Sequence, residues 1–379
     1  MTIGFDAKSI VCNITGFGNY GRTLVGDMAE AVPAGTVLNL YSPVRGDEAL
    51  RRQLTLRPCM RFVYPDAAGI NAPLQALWHM RGMVKDLVRD GVRLYHGLSG
   101  ELPVGIREAG IRTVVTIHDL IFMRHPEWYS WADRKLRRWK FRKTCQEADR
   151  IIAISECTKR DIMLYGDVPA EKIDVIYQSC GTLYKMREGE KKMHEVHINY
   201  MLPERYIVSV GALEERKNIM LAVKAMHRLP ADVSLVVVGK DGPYGERVRR
   251  YIAANGLGGR VMFLHDVPTD DMPAIYQMAE ACVYPSRYEG FGLPVIEAIQ
   301  SGLPVVACKG SCLEEAGGNA TLYVDPDDVA GMAHALRLTL KGAPGREERI
   351  EAGRQYITRF ENAEVAQKVL GVYRELVEF

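Results

Sequence analysis

No stretch of about 18 consecutive apolar residues occurs in the chain, which argues against a membrane-spanning helix. Charge of one sign is also lacking. The 49 Lys and Arg nearly cancel the 47 Asp and Glu, leaving a formal net charge of +2, so no global field points to nucleic acid and any basic surface must be local. Cysteine is sparse, with eight residues scattered through 379, no C-x-x-C and no His-Cys cluster at zinc spacing, although Cys308 and Cys312 stand four apart. Reduced thiols in a cytoplasm are therefore expected, not a disulfide framework. The N-terminal MTIGFDAKSI lacks a basic segment followed by an apolar one, so export through a signal peptide is not expected. What the chain does have is 47% hydrophobic residues, enough at this length to fill the cores of two ordinary domains.

The most informative stretch is YPSRYEGFGLPVIEAIQSGLPVVA, Tyr284 to Ala307, which reads as strand, Gly-rich turn, helix and strand. Pro294 suits the first turn of a helix, where its missing N–H has no partner to lose, and Val295, Ile296, Ala298 and Ile299 give that helix a buried side. Gly302 stops it. The amides of Phe291, Gly292 and Leu293 precede or open the helix, where the backbone donors and the dipole favour an anion. Glu289 and Glu297 bracket this cradle. A carboxylate is a bidentate acceptor suited to vicinal sugar hydroxyls, so the pattern suggests a ligand that is part sugar and part phosphate. For either Glu alone, a favourable charge near a helix N-terminus is the simpler reading.

Elsewhere strands alternate with helices in both halves, which indicates an α/β protein with parallel sheets. Gly16, Gly18 and Gly21 form a literal G-x-G-x-x-G. As a dinucleotide fingerprint it is weak: the first strand ends at Asp6, well before Gly16, and the strand Val37 to Tyr41 ends without an acidic residue for a ribose. His118 and Asp119 lie at the carboxyl end of the apolar strand Arg112 to Leu120, where open parallel sheets place ligands. Arg216 and Lys217 precede a helix for which Asn218 is the expected cap, and two adjacent cations there invite a diphosphate; a charged surface loop is the alternative. Between Trp128 and Lys143, seven Lys or Arg and three Trp share one helical segment. It reads as a solvated basic face, or as a contact with an anionic membrane surface or lipid-linked acceptor.

EGFGLPVIE resembles the E-x7-E signature of retaining glycosyltransferases of family four, and the GFG loop, the HD pair and R-K-N follow that family's order over nearly the whole chain. The resemblance implies the GT-B fold: two facing doubly wound Rossmann-like domains with a C-terminal helix returning to the first. The expected boundaries are 1–183 for the N-terminal domain, 184–203 for a charged linker, 204–362 for the nucleotide-sugar domain, and 363–379 for the returning helix. Carried across by position, Gly16 and Gly18 would approach the donor diphosphate and acceptor, and His118 and Glu289 the donor sugar. Arg216 and Lys217 would hold the diphosphate, Phe291, Gly292 and Leu293 would help hold the sugar, and Glu297 would hold the ribose. The backbone from Phe263 to Asp266 would contact the nucleobase. Two departures stand out: Gln178-Ser179-Cys180-Gly181 where many relatives read Asn-Gly, and Glu314-Glu315 where relatives usually have Pro-Glu.

The implied reaction is transfer of a hexose from a nucleoside diphosphate sugar to an acceptor hydroxyl, with retention and without cofactor or metal. The pattern is most like bacterial mannosyltransferases of polysaccharide assembly, which gives GDP-mannose as the expected donor and a saccharide or polyprenyl-linked saccharide as acceptor. The expected location is cytoplasmic, with peripheral contact at the inner membrane face through Trp128 to Lys143. A UDP-hexose donor, a non-hydrolysing sugar-nucleotide epimerase and a non-catalytic sugar-nucleotide binder are the alternatives.

Overall fold

A computed structural model describes residues 1–14, 16–65 and 71–378. The chain divides into two compact units, one of Met1–Ser179 with Phe360–Phe379 and one of Cys180–Arg359. Each is built on one parallel sheet. In the first unit the strands are β1 (Thr2–Asp6), β2 (Val37–Tyr41), β3 (Met60–Val63), β4 (Val92–Gly97), β5 (Arg112–Ile117), β6 (Arg150–Ala153) and β7 (Ile173–Val175), in the order β3-β2-β1-β4-β5-β6-β7. The second unit holds β8 (Tyr206–Val210), β9 (Ser234–Val238), β10 (Val261–Leu264), β11 (Ala281–Tyr284), β12 (Val305–Cys308) and β13 (Leu322–Val324), in the order β10-β9-β8-β11-β12-β13.

Helices cover both faces of the first sheet, which is why its strands are near-continuous apolar runs. On one face, Tyr20, Leu24 and Met28 of the helix Gly16–Ala31 meet Val365, Val369, Leu370 and Tyr373 of the C-terminal helix Asn362–Leu376 over Ile3, Phe5 and Val114. On the other, Met83, Leu87, Phe141 and Ile162 pack over Tyr95, Val115 and Ile117. Burying each large apolar side chain of the C-terminal helix stabilises its return onto this unit by about 1.5–3 kcal/mol. Within the expected returning segment 363–379, Phe379 lies outside the described residues.

Two local expectations need correction. The charged stretch 184–203 contains the helix Glu190–Tyr200, which belongs to the second unit. Its Val196 is buried, and Lys192 and the Tyr200 hydroxyl are both bonded to the Asp271 carboxylate. Its composition looks like a linker because its outer face is solvated. Asn218 does not cap the following helix: it takes the left-handed conformation at φ 53° and donates from Nδ2 to the Pro326 carbonyl at 2.8 Å. The helical run after β3 is not continuous, since one π-helical turn, Trp78–Gly82, separates Ala72–Leu77 from Met83–Arg89.

Candidate functional site

In the second sheet the strand order reverses between β8 and β11, so the loops leaving their carboxyl ends diverge and open a crevice there. The loop after β8 carries Arg216 and Lys217 on a short 3-10 turn, Glu215–Lys217, and the loop after β11 carries Glu289. Backbone joins them, because the Arg287 amide donates to the Arg216 carbonyl at 2.8 Å. Lys217 Nζ lies 2.6 Å from Glu289 Oε1 and donates to the Tyr284 hydroxyl at 2.6 Å. Arg216 donates from Nη1 to Glu289 Oε2 at 2.9 Å, and its Nε sits 3.0 Å from Glu214 Oε2. The two cations therefore converge on one carboxylate.

Burial pushes the Glu289 carboxyl up, but attraction to Lys217 and Arg216 outweighs it and holds the group below its usual value. Burial also lowers the Lys217 ammonium, opposed by Glu289. The loop over this cluster is tightly made. Gly292 has φ 123°, open to glycine alone, and a Cβ there would lie 2.8 Å from Leu313 Cδ2. Beneath the loop, the Cys312 thiol donates to the carbonyls of Glu289 at 3.1 Å and Phe291 at 2.9 Å. From Gly292 the helix Leu293–Gln300 starts with Pro294 in its first turn, and Glu297 lies one turn in.

Among the described residues no cation is paired with Glu297. The Tyr276 hydroxyl donates to its Oε2 at 3.1 Å, and desolvation pushes its carboxyl up to about 7. Leu293 opens this helix and Phe291 is buried just ahead of it, so Glu289, Phe291, Gly292, Leu293 and Glu297 lie along one run of loop and first helical turns. Phe263 is set apart. It lies on β10, three strands from β11 and so roughly 14 Å away at the usual spacing, under the Arg249 guanidinium at 5.1 Å.

In the first unit His118 follows β5 directly. The edges of Phe17 and Tyr20 meet its ring at centroid distances of 4.6 and 4.8 Å, so the glycine loop and the HD pair are neighbours. Both ring nitrogens are engaged: Nε2 donates to the Leu98 carbonyl at 2.8 Å, and Nδ1 accepts from Gln178 Nε2 at 2.8 Å. Desolvation lowers its pKa to about 4, which keeps the ring neutral. Asp119 accepts from the Ile121 amide at 3.1 Å, shaping the turn. Gly18 is required by packing, since a Cβ there would lie 1.8 Å from the Asn13 carbonyl, whereas Gly16 faces open space.

Two family models match the chain: Glycosyltransferase Family 4 over residues 25–179, and Glycosyl transferases group 1 over residues 197–356. The chain belongs to glycosyltransferase family four. Among its relatives is O-antigen chain mannosyltransferase B of Escherichia coli, 26% identical over 86% of this chain and 82% of that protein. Another is O-antigen chain mannosyltransferase RfbU of Salmonella typhimurium, 28% identical over 67% of each chain. The chain spans about a third (31%) of the length of a serotype-specific mannosyltransferase WbdA of Escherichia coli, to which it is 28% identical. The fold is that of GT-B glycosyltransferases. Sucrose-phosphate synthase from Thermosynechococcus elongatus matches with a TM-score of 0.79 at 22% identity over 99% of each chain. The crystal structure of Anabaena Alr3699/HepE in complex with UDP and glucose matches with a TM-score of 0.74 at 18% identity, over 99% of this chain and 100% of that one.

Three side chains of the glycosyltransferase's site were not singled out by its sequence. Tyr284 reads as one more apolar strand residue, and Tyr276 as the buried face of a helix; only the fold brings their hydroxyls to Glu289 and Glu297. Gln178 did leave a trace, because it opens the segment Gln178-Ser179-Cys180-Gly181 that departs from the Asn-Gly expected from the resemblance. Its bond to His118 shows what the altered segment does.

Proposed function

We propose that this glycosyltransferase moves a hexose, mannose from GDP-mannose, to a hydroxyl of a saccharide acceptor in cell-surface polysaccharide assembly, with retention at the anomeric carbon. The observation that carries the reading is the convergence of Arg216, Lys217 and Glu289 at the switch point, next to a helix N-terminus and the desolvated Glu297. The diphosphate takes the cations and the amides of the Gly292 turn, while Glu289 turns to the sugar hydroxyls and Glu297 accepts from the ribose. The backbone near Phe263, roughly 14 Å away by strand spacing, suits the nucleobase at the far end of an extended nucleotide.

The bond from the anomeric carbon to the leaving phosphate oxygen breaks, and its electron pair stays on the diphosphate. The acceptor oxygen bonds the anomeric carbon on the same face, and its proton passes to the leaving phosphate. Positive charge builds on the sugar and negative charge on the diphosphate, so Lys217 and Arg216 act most strongly where charge develops. They supply that charge without calling for a metal ion. His118 contributes a rigid neutral wall beside the glycine loop, because both of its ring nitrogens are already bonded.

The O-antigen mannosyltransferase relatives favour mannose, while the fold neighbour in complex with UDP and glucose favours a UDP-hexose as the second reading. A lipid-linked acceptor is favoured by the helix Trp131–Glu147, which exposes Trp131 at 67%, Leu136 at 53% and Trp139 at 45% among its cations. Such a face suits the cytoplasmic surface of an anionic membrane, and no described helix is long and apolar enough to cross one. A thermal-shift panel of GDP-, UDP- and ADP-sugars tests the reading, because a ligand of the folded state raises Tm. GDP-mannose should give the largest rise. A rise confined to the UDP-sugars would move the donor to the second reading, and no rise with any nucleotide would remove the function.

A further inference from the structure

The loop between β11 and the helix Leu293–Gln300 is tied down by two thiols from the next connection along the chain. β12 ends in Cys308, whose Sγ donates to the Pro285 carbonyl at 3.2 Å, where that loop begins. Cys312 comes four residues later, and its Sγ lies 3.1 Å from the Glu289 carbonyl and 2.9 Å from that of Phe291. Both cysteines are fully buried. Cys312 stands at the N-cap position of the helix Leu313–Gly317 but makes no side-chain cap there, so its thiol serves the loop instead. The segment that carries it is itself anchored. The Tyr323 hydroxyl is shared between the carbonyls of Leu313 at 3.2 Å and Gly318 at 3.0 Å, and the Tyr356 hydroxyl donates to that of Glu315 at 2.8 Å.

What the thiol fixes follows from peptide geometry. In a trans peptide the N–H points away from the C=O of the same unit, so the Phe291 carbonyl on the sulfur turns the Gly292 amide to the opposite side. That amide has no partner among the described residues, and it stands where the helix Leu293–Gln300 begins. Glu289 is gripped at both ends, its carboxylate by Lys217 and Arg216 and its carbonyl by the thiol. Once a donor draws the two cations onto its phosphates, the backbone grip is the one that remains. A thiol is a weak donor. Yet one hydrogen set between two buried carbonyls leaves the loop a single position that serves both, and any other position strands an acceptor away from water.

We propose that Cys312 is a positioning residue of the donor site: its thiol, shared between the Glu289 and Phe291 carbonyls, aims the Gly292 amide and the Glu289 carboxylate at the diphosphate and sugar of the donor. This role rests on the reading of the chain as a hexosyltransferase. Calorimetric titration of the parent, Cys312→Ala and Cys312→Ser with GDP-mannose and with GMP tests it. GMP lacks the second phosphate and the sugar, so its affinity does not depend on where the loop points. Serine is close to alanine in size but keeps a donor, so comparing the two variants separates the hydrogen bond from the lost packing. Cys312→Ala should bind GDP-mannose about tenfold more weakly than the parent does, the worth of one hydrogen bond, and GMP within about twofold, while Cys312→Ser recovers most of the loss. Equal losses in the two variants, an equal loss for GMP and GDP-mannose, or an alanine variant that binds like the parent would overturn the role. Should Cys312→Ala lose its cooperative melt, Cys312→Val, which fills the space without a donor, takes its place. A parent that binds UDP-glucose and not GDP-mannose moves the donor to the second reading, and the same comparison is then made with UDP-glucose and UMP. A parent that binds neither overturns the donor reading and the role together.

Discussion

Lys217 Nζ stands 2.6 Å from Glu289 Oε1, and the Tyr284 hydroxyl touches both. The cation is thus held in place before any ligand arrives, and a diphosphate gains a preset charge without ordering a long side chain. Lys217→Ala should accordingly lower kcat by on the order of 100-fold, with a smaller change in donor affinity. Steady-state kinetics with GDP-mannose separate the two. Weakened donor binding at normal kcat would mean that the charge serves binding and not departure of the leaving group.

Glu297 gives a pH dependence of stability with a definite sign. Its folded carboxyl titrates at about 7, above the ordinary 4.5, because burial favours the neutral form. The resulting stability is fully present below the ordinary value and is lost as pH rises through about 7. Wild type should therefore lose about 2 kcal/mol relative to Glu297→Gln between pH 4.5 and 8. Denaturant midpoints of both proteins across that range check it. A constant difference would show that the carboxylate is well solvated.

His118 and His96 act in the opposite sense. Their neutral rings titrate at about 4 and about 3 in the fold, below the ordinary 6.5, because both are desolvated. That stability is present above pH 6.5 and is lost as pH falls from there through about 4 and about 3, so acid destabilises the first unit over a range that overlaps ordinary carboxylate protonation. Gln178→Ala leaves Nδ1 of a buried imidazole without its donor and should cost about 1–2 kcal/mol at neutral pH. An unchanged urea midpoint would mean that water replaces the amide.

Much of this was legible in advance, for identifiable reasons. Strands β1 and β2 have the bounds their apolar runs suggest, because a strand buried on both faces leaves a continuous signal. The turn at Gly292 could be read because only glycine takes its backbone angle. What could not be read depended on partners distant in sequence. The Glu190–Tyr200 helix resembles a linker until Asp271 is seen beneath it, and Asn218 resembles a cap until its amide is found on Pro326. Asp6 is a single acidic letter at a strand end, given meaning by a π-turn that brings His79 to it from 73 positions away.

The basic helix carries a prediction that its pairing refines. Arg137 is tied to Asp133 and Lys140 to Glu101, whereas Lys135, Arg138 and Arg142 are exposed on the row that carries Trp131 and Trp139. Changing those three to Gln should abolish sedimentation with phosphatidylserine vesicles at low salt, each cation contributing about 1 kcal/mol near the surface, while GDP binding is spared. Failure of the wild-type protein to sediment would favour a water-soluble acceptor.

The central claim is that the cluster at the switch point of the second sheet binds a sugar nucleotide, and calorimetric titration of GDP into the wild-type protein and Glu297→Ala tests it most directly. The account predicts saturable binding at one site per chain, weakened about tenfold or more by loss of the ribose-facing carboxylate. Equal affinity in the two proteins, or no binding by the wild type, would contradict it.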